Sequence, residues 1–158
     1  MSAKKISYIS MLSALAIVFG YIESLFPAAP VPGIKLGLSN IVILYAICRM
    51  DKTSAFFIML IKVLVTSLLF SGLNVFWYSF FGGLFSLASM IGFKKIFSLI
   101  GVSMIGGVFH NIGQLLVAAF MMQTTAVLVY LPALLVSGLI VGFITGTVCN
   151  IIIKRYVP

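Results

Sequence analysis

The run Gly106-Gly107-Val108-Phe109-His110-Asn111-Ile112-Gly113-Gln114 places the chain's single histidine beside an asparagine and one helical turn from a glutamine, inside a long apolar stretch. On a helix, residues three and four apart share a face, so His110, Asn111 and Gln114 can point the same way. At membrane depth such groups are costly unless they face a bundle interior or a cavity, and their default reading is a functional site. The competing reading is hydrogen-bond glue between helices, with Gly106 and Gly107 allowing close approach. Four further polar residues interrupt or edge other apolar runs: Glu23, Lys35, Asn40 and Lys62. Two lysines, a histidine and several neutral donors against one carboxylate suit an anionic ligand such as a carboxylate, phosphate or diphosphate.

Several chemistries are excluded by residue type and spacing. One histidine without Cys, Asp or Glu at helical spacing is no metal site. Asp51 falls on the opposite membrane side from His110's half, so no Ser-His-acid set is expected. There is no Gly-rich phosphate loop ending in Lys-Ser/Thr, so the chain does not use ATP itself. The reading is therefore of a non-enzyme without cofactor. Cys48 and Cys149 lie in apolar runs and read as small core residues rather than a disulfide or metal pair.

The elements that must position these groups are membrane helices. The chain is 63% hydrophobic and 8% charged over 158 residues, with mean hydropathy +1.29, and its apolar runs are continuous rather than alternating, which excludes a β-barrel. The expected architecture is an all-α, six-helix membrane bundle forming one domain over residues 1–158, with spans near 6–26, 34–49, 53–70, 75–91, 96–122 and 126–153. Two lysines precede the first run as in a signal peptide, but no small-x-small cleavage site follows, so it reads as the first span. Its Ser10, Ala14, Ala16 and Gly20 form overlapping small-xxx-small pairs that would admit a partner helix. Pro27, Pro30, Pro32 and Gly33 then forbid helix continuation, making either a stiff turn or a wall or gate beside a site. Trp77 and Tyr78 open the fourth span as an interfacial belt would, and Trp77, Tyr130 and the phenylalanines of the fourth span could wall a pocket.

With six crossings, Lys4, Lys5, Arg49, Lys52, Lys94, Lys95, Lys154 and Arg155 all fall on one side, and the positive-inside rule puts both termini in the cytoplasm. Those eight of the ten basic residues explain topology and not nucleic-acid binding. Lys35, Lys62 and Glu23 are left over, and with His110, Asn111 and Gln114 they converge on the outer half of the bundle. The two readings are a buried Glu23–Lys35 or Glu23–Lys62 ion pair with bonded amides, or a ligand cavity open to the outside.

Leu25-Phe26-Pro27, Pro32-Gly33-Ile34-Lys35-Leu36-Gly37-Leu38-Ser39-Asn40-Ile41, Gly101-Val102-Ser103, His110-Asn111-Ile112-Gly113-Gln114-Leu115-Leu116 and Tyr130-Leu131-Pro132 resemble the Gx transporter family, also labelled heptaprenyl diphosphate synthase component I. The resemblance spans essentially the whole chain. It implies likeness to the substrate-binding S components of energy-coupling-factor transporters, six-helix bundles of the bacterial plasma membrane that work with separate ATPase and scaffold subunits. By the same resemblance, Ser10, Ala14, Ala16 and Gly20 would contact the scaffold. Lys62 stands where relatives often carry arginine, which keeps the charge without the planar clamp.

Two functions follow. In the first, the chain is the substrate-binding membrane component of a transporter for a vitamin-, flavin- or isoprenoid-like anion taken from the outer side. Its site would comprise Glu23, Lys35, Asn40, Lys62, His110, Asn111 and Gln114. In the second, it is a non-catalytic membrane partner of a prenyl-diphosphate synthase subunit or of a membrane redox assembly. It is not the catalytic chain of such a synthase, because Mg²⁺-bound diphosphates need clustered carboxylates and the chain has one Asp and one Glu.

Overall fold

Long unbroken apolar runs have nowhere to satisfy their backbone polar groups except within a helix, and helices are what the chain forms. The structure, a computed structural model, describes residues 2–25 and 37–156. Among these there is no strand. The helices are α1 (Ala3–Leu25), α2 (Asn40–Arg49), α3 (Lys52–Thr66, running on as a π-helical turn Ser67–Ser71), α4 (Leu73–Phe93), α5 (Leu99–Met122) and α6 (Leu131–Tyr156, preceded by a 3₁₀ segment Thr125–Tyr130). Among the described residues, five helical stretches are long and apolar enough to cross a membrane: Ala3–Leu25, Lys52–Phe70, Val75–Phe93, Leu99–Met122 and Thr125–Arg155. The protein is a multi-pass helical membrane protein.

Two expected boundaries change. The second span was expected from residue 34, but Gly37 has a positive φ of 86° and helix α2 begins only at Asn40. Its 10 residues reach about 15 Å, half of a hydrocarbon core about 30 Å thick. The sixth span opens as a 3₁₀ turn before α6, and Pro132 then sits in the first turn of α6, where its missing N–H breaks no hydrogen bond. The gate candidates Pro27, Pro30, Pro32 and Gly33, together with Lys35, lie outside the described residues.

Three contacts gather distant parts of the chain at one end of the bundle. Lys5 Nζ lies 2.7 Å from the Asp51 carboxylate, Lys94 Nζ donates to Ile47 O at 2.7 Å, and Arg49 donates to Ile153 O at 3.5 Å. The start of α1, the α2–α3 loop, the α4–α5 loop and the end of α6 therefore share that end. Asp51 also caps α3, accepting from Ser54 N at 2.9 Å. The Lys5 ammonium first, then the Ser54 N–H, hold the Asp51 carboxyl down at about 2.

The most extensive packing is of α5 against α6 and α4. It depends on backbone-to-backbone approach: a Cβ on Gly107 would strike Gly138 O, and one on Gly138 would sit 2.8 Å from Gly107 O. With no hydrophobic drive between helices in lipid, such close contact is a main source of association.

Two outcomes follow. Gly138→Leu should lower the thermal midpoint in mild detergent by the equivalent of about 1–3 kcal/mol, because the obstructing atoms are backbone; an unchanged midpoint would show that α5 and α6 do not touch there. Because the folded Asp51 carboxyl titrates below its unfolded value near about 3.9, its stabilising effect is complete above that value and fades as pH falls through about 2. The ¹³C carboxyl resonance of Asp51 should accordingly move near pH 2, and in Lys5→Ala it should move at higher pH.

Candidate functional site

Glu23 is the carboxylate that the bilayer makes most costly, and it is 4% exposed. Its partners come from two other elements. Ser39, just before α2, gives its backbone N–H to Oε1 at 3.4 Å and its hydroxyl to Oε2 at 3.2 Å. Lys62, from the middle of α3 and also 4% exposed, brings its ammonium to 3.9 Å from Oε2. Gly20, one turn before Glu23, makes the approach possible: a Cβ there would lie 2.7 Å from Thr66 Cγ2 and 3.2 Å from Lys62 Cε. Thr66 in turn donates to Lys62 O at 2.8 Å, closing its own hydroxyl within α3.

The next layer is built on the turn before α2. With φ at +86°, Gly37 occupies a backbone region that L side chains rarely adopt. A Cβ at Gly37 would lie 2.9 Å from Asn40 Nδ2 and 3.3 Å from His110 Cδ2. On the far side of the imidazole stands Gly82 of α4, whose added Cβ would be 3.2 Å from His110 Cε1 and 2.8 Å from Gln114 Cγ. His110, Gln114 and Asn40 are 2%, 0% and 4% exposed. A polar seam thus runs Lys62–Glu23–Ser39, through the Gly37–Asn40 turn, to His110 and Gln114, and it draws on α1, α2, α3 and α5.

Asn111 shares α5 with His110 but turns to a different neighbour. Its amide nitrogen donates to Leu134 O at 2.6 Å and to Ser137 Oγ at 3.2 Å on α6, so it ties α5 to α6 and stands apart from the Glu23–Lys62 pair. Trp77 and Tyr130 are exposed on the surface of the described bundle. The expected partner-facing strip on α1 also divides: Ser10 and Ala14 are exposed, whereas Ala16 is wholly buried and Gly20 packs on α3. The small residues of that second pair serve the protein's own helix packing.

A groove of about 530 Å³ lies elsewhere, between α1, α2 and α6, with Tyr8, Leu12, Phe19, Tyr45 and Cys149 among its walls; none of the described candidate residues lines it. Among the described residues no set of three His, Cys, Asp or Glu comes together.

A family profile described as heptaprenyl diphosphate synthase component I matches residues 12–152. The chain belongs to that family. No curated protein and no solved structure matches it. The matched stretch of this component I chain includes every described residue of the seam. The parts of the seam that residue patterns had left unassigned are Ser39 as the carboxylate's main holder and Gly37 as the turn that brings Asn40 to His110. A Gly-Leu-Ser-Asn string ahead of an apolar run signals a helix start, yet Ser39 makes no capping bond of its own because its hydroxyl goes to Glu23.

The ion pair gives a direct expectation. Removing one partner leaves a buried charge and should cost about 3–5 kcal/mol, whereas removing both charges is close to neutral. Lys62→Met should therefore melt well below wild type, and Glu23→Gln/Lys62→Met should recover most of the loss. A double variant as unstable as the single would mean that the two charges do not compensate each other.

Proposed function

We propose that this component I chain is the substrate-binding membrane component of a small-molecule transporter, resembling an S component. In this reading the bundle has six crossings, formed by one domain over residues 1–158, and both termini are cytoplasmic in a bacterial plasma membrane. The short α2 belongs to the second crossing. The basic residues at one end of the bundle support that orientation. The observation that carries the reading is the seam itself: a carboxylate, an ammonium, an imidazole and two carboxamides from four helices, buried together where a membrane protein would otherwise carry apolar side chains. The site comprises Glu23, Asn40, Lys62, His110 and Gln114, with Lys35 and the prolines of residues 27–32 as its expected approach and gate, and Asn111 as its support from the α6 side. The chain performs no chemistry on its solute, and ATPase and scaffold subunits supply energy. Ser10 and Ala14 are the α1 residues left to meet such a scaffold.

The anionic solute expected from residue counts depended on surplus positive charge. Lys62 faces Glu23, so that surplus is smaller than a count of lysines implies, and the solute is here an organic molecule of vitamin size.

The family description favours a second reading, in which the chain is a non-catalytic membrane partner of a prenyl-diphosphate synthase subunit. Protein purified in mild detergent and analysed by mass spectrometry of released small molecules separates the two. Wild type should carry an organic solute at near one-to-one stoichiometry, and it should be absent from His110→Ala and from Glu23→Gln/Lys62→Met at unchanged elution volume. Wild type without any small molecule, but with a co-purifying synthase subunit, would overturn the transporter reading in favour of the second.

A further inference from the structure

We infer that Asn40 selects the solute, and that it does so by pairing with an uncharged edge carrying a donor beside an acceptor, as in a lactam, an imide or a primary amide. The inference rests on the solute-binding reading above and sharpens it.

The charged groups of the described seam face each other. Both Glu23 oxygens are engaged, one by the Ser39 N–H and one by the Ser39 hydroxyl and the Lys62 ammonium. Asn40 is different. Its carboxamide is nearly fully buried, and neither Oδ1 nor Nδ2 has a hydrogen-bond partner among the described residues. A buried amide with both ends unpaired destabilises the fold relative to an apolar residue of the same shape. Leucine would fit the apolar pattern of α2, so the amide needs a reason beyond folding.

Its position supplies one. Asn40 is the first residue of α2, where a carboxamide would ordinarily bond the local backbone, yet it does not. Beside it Gly37 lets the turn close onto the carboxamide and the His110 imidazole, since a Cβ there would lie 2.9 Å from Asn40 Nδ2 and 3.3 Å from His110 Cδ2. A phosphate or carboxylate offers acceptors alone: it would satisfy Nδ2 and meet Oδ1 with like partial charge. A cis-amide edge offers N–H to Oδ1 and C=O to Nδ2 at once. A site built to bond such an edge rejects analogues that lack it, because its own polar atoms are then left unpaired.

The test uses the full chain in mild detergent with 2-pyridone and uracil as minimal probes, read by saturation-transfer NMR, and inorganic diphosphate and succinate as competitors. Wild type should bind both ring probes, and neither anion should displace them. Asn40→Asp should weaken binding at least tenfold, and Asn40→Leu should abolish it while raising the melting temperature above wild type. Displacement by diphosphate or succinate would overturn the inference. So would Asn40→Leu that binds the rings normally and melts below wild type, since the amide would then be satisfied by structural water. If wild type releases a bound organic anion that Asn40→Leu still holds, the neutral-edge inference fails and solute binding stands. If wild type holds neither probe nor native small molecule, both fail.

Discussion

Placing a carboxylate inside a helical membrane bundle obliges the surrounding chain to supply donors, and the packing around Glu23 follows from that demand. The ammonium of Lys62 alone does not meet it at 3.9 Å; the Ser39 N–H and hydroxyl complete the set. Each donor imposes a condition. Lys62 can lie beside α1 only because residue 20 is glycine. Ser39 can turn its backbone N–H toward α1 only if the chain bends sharply before α2, which Gly37 permits. The pair thereby joins α1 and α3 and sets where α2 starts. Buried ion pairs are weak stabilisers when compared with apolar substitutes, so the retention of this one is more readily understood as positioning the Gly37–Asn40 turn against His110.

The opposite end of the molecule is held differently. Lys5, Lys94 and Arg49 bond to Asp51, Ile47 O and Ile153 O. These are side chains at water-accessible helix ends, worth little individually, yet they bring four chain segments to a common level. Between the two ends the α4–α5–α6 half is joined through glycine contacts and Asn111, while α1, α2 and α3 are joined through the polar seam. Helix α5 takes part in both, packing through glycine on α6 and supplying His110 and Gln114 to the seam.

Much of the fold was legible from residue order. Continuous apolar runs bounded by paired basic residues define the helices, because a bilayer allows no other way to satisfy backbone groups over such lengths. Glu23, Lys62 and His110 stood out for the same reason, as polar side chains at depths where each is expensive. What residue order left open was how these groups share partners. A count of charges left an anion site and a Glu23–Lys62 pair both open, because it could not tell that Lys62 faces Glu23, a relation between residues 39 positions apart in the chain. It treated Ala16 and Gly20 as surface for a partner, because small-xxx-small spacing records that a helix can be approached closely but not by which neighbour. It grouped Asn111 with His110, since adjacent residues on one helix differ by only about 100° in direction, enough to send one amide to α6 and leave the imidazole at the Gly37 turn.

The sequence by itself therefore determined the class of protein, the basic end of each helix pair and the identity of the costly residues, since these depend on local hydropathy and on what lipid forbids. Tertiary structure alone decided which of those residues compensate one another and which are left with unmet hydrogen bonds. That distinction depends on distances of a few ångströms between side chains far apart in the chain, which no spacing rule along a single helix contains. In this molecule it sets Glu23 against Lys62 and against Ser39, which residue patterns had not singled out, with the carboxamide of Asn40 one residue further on.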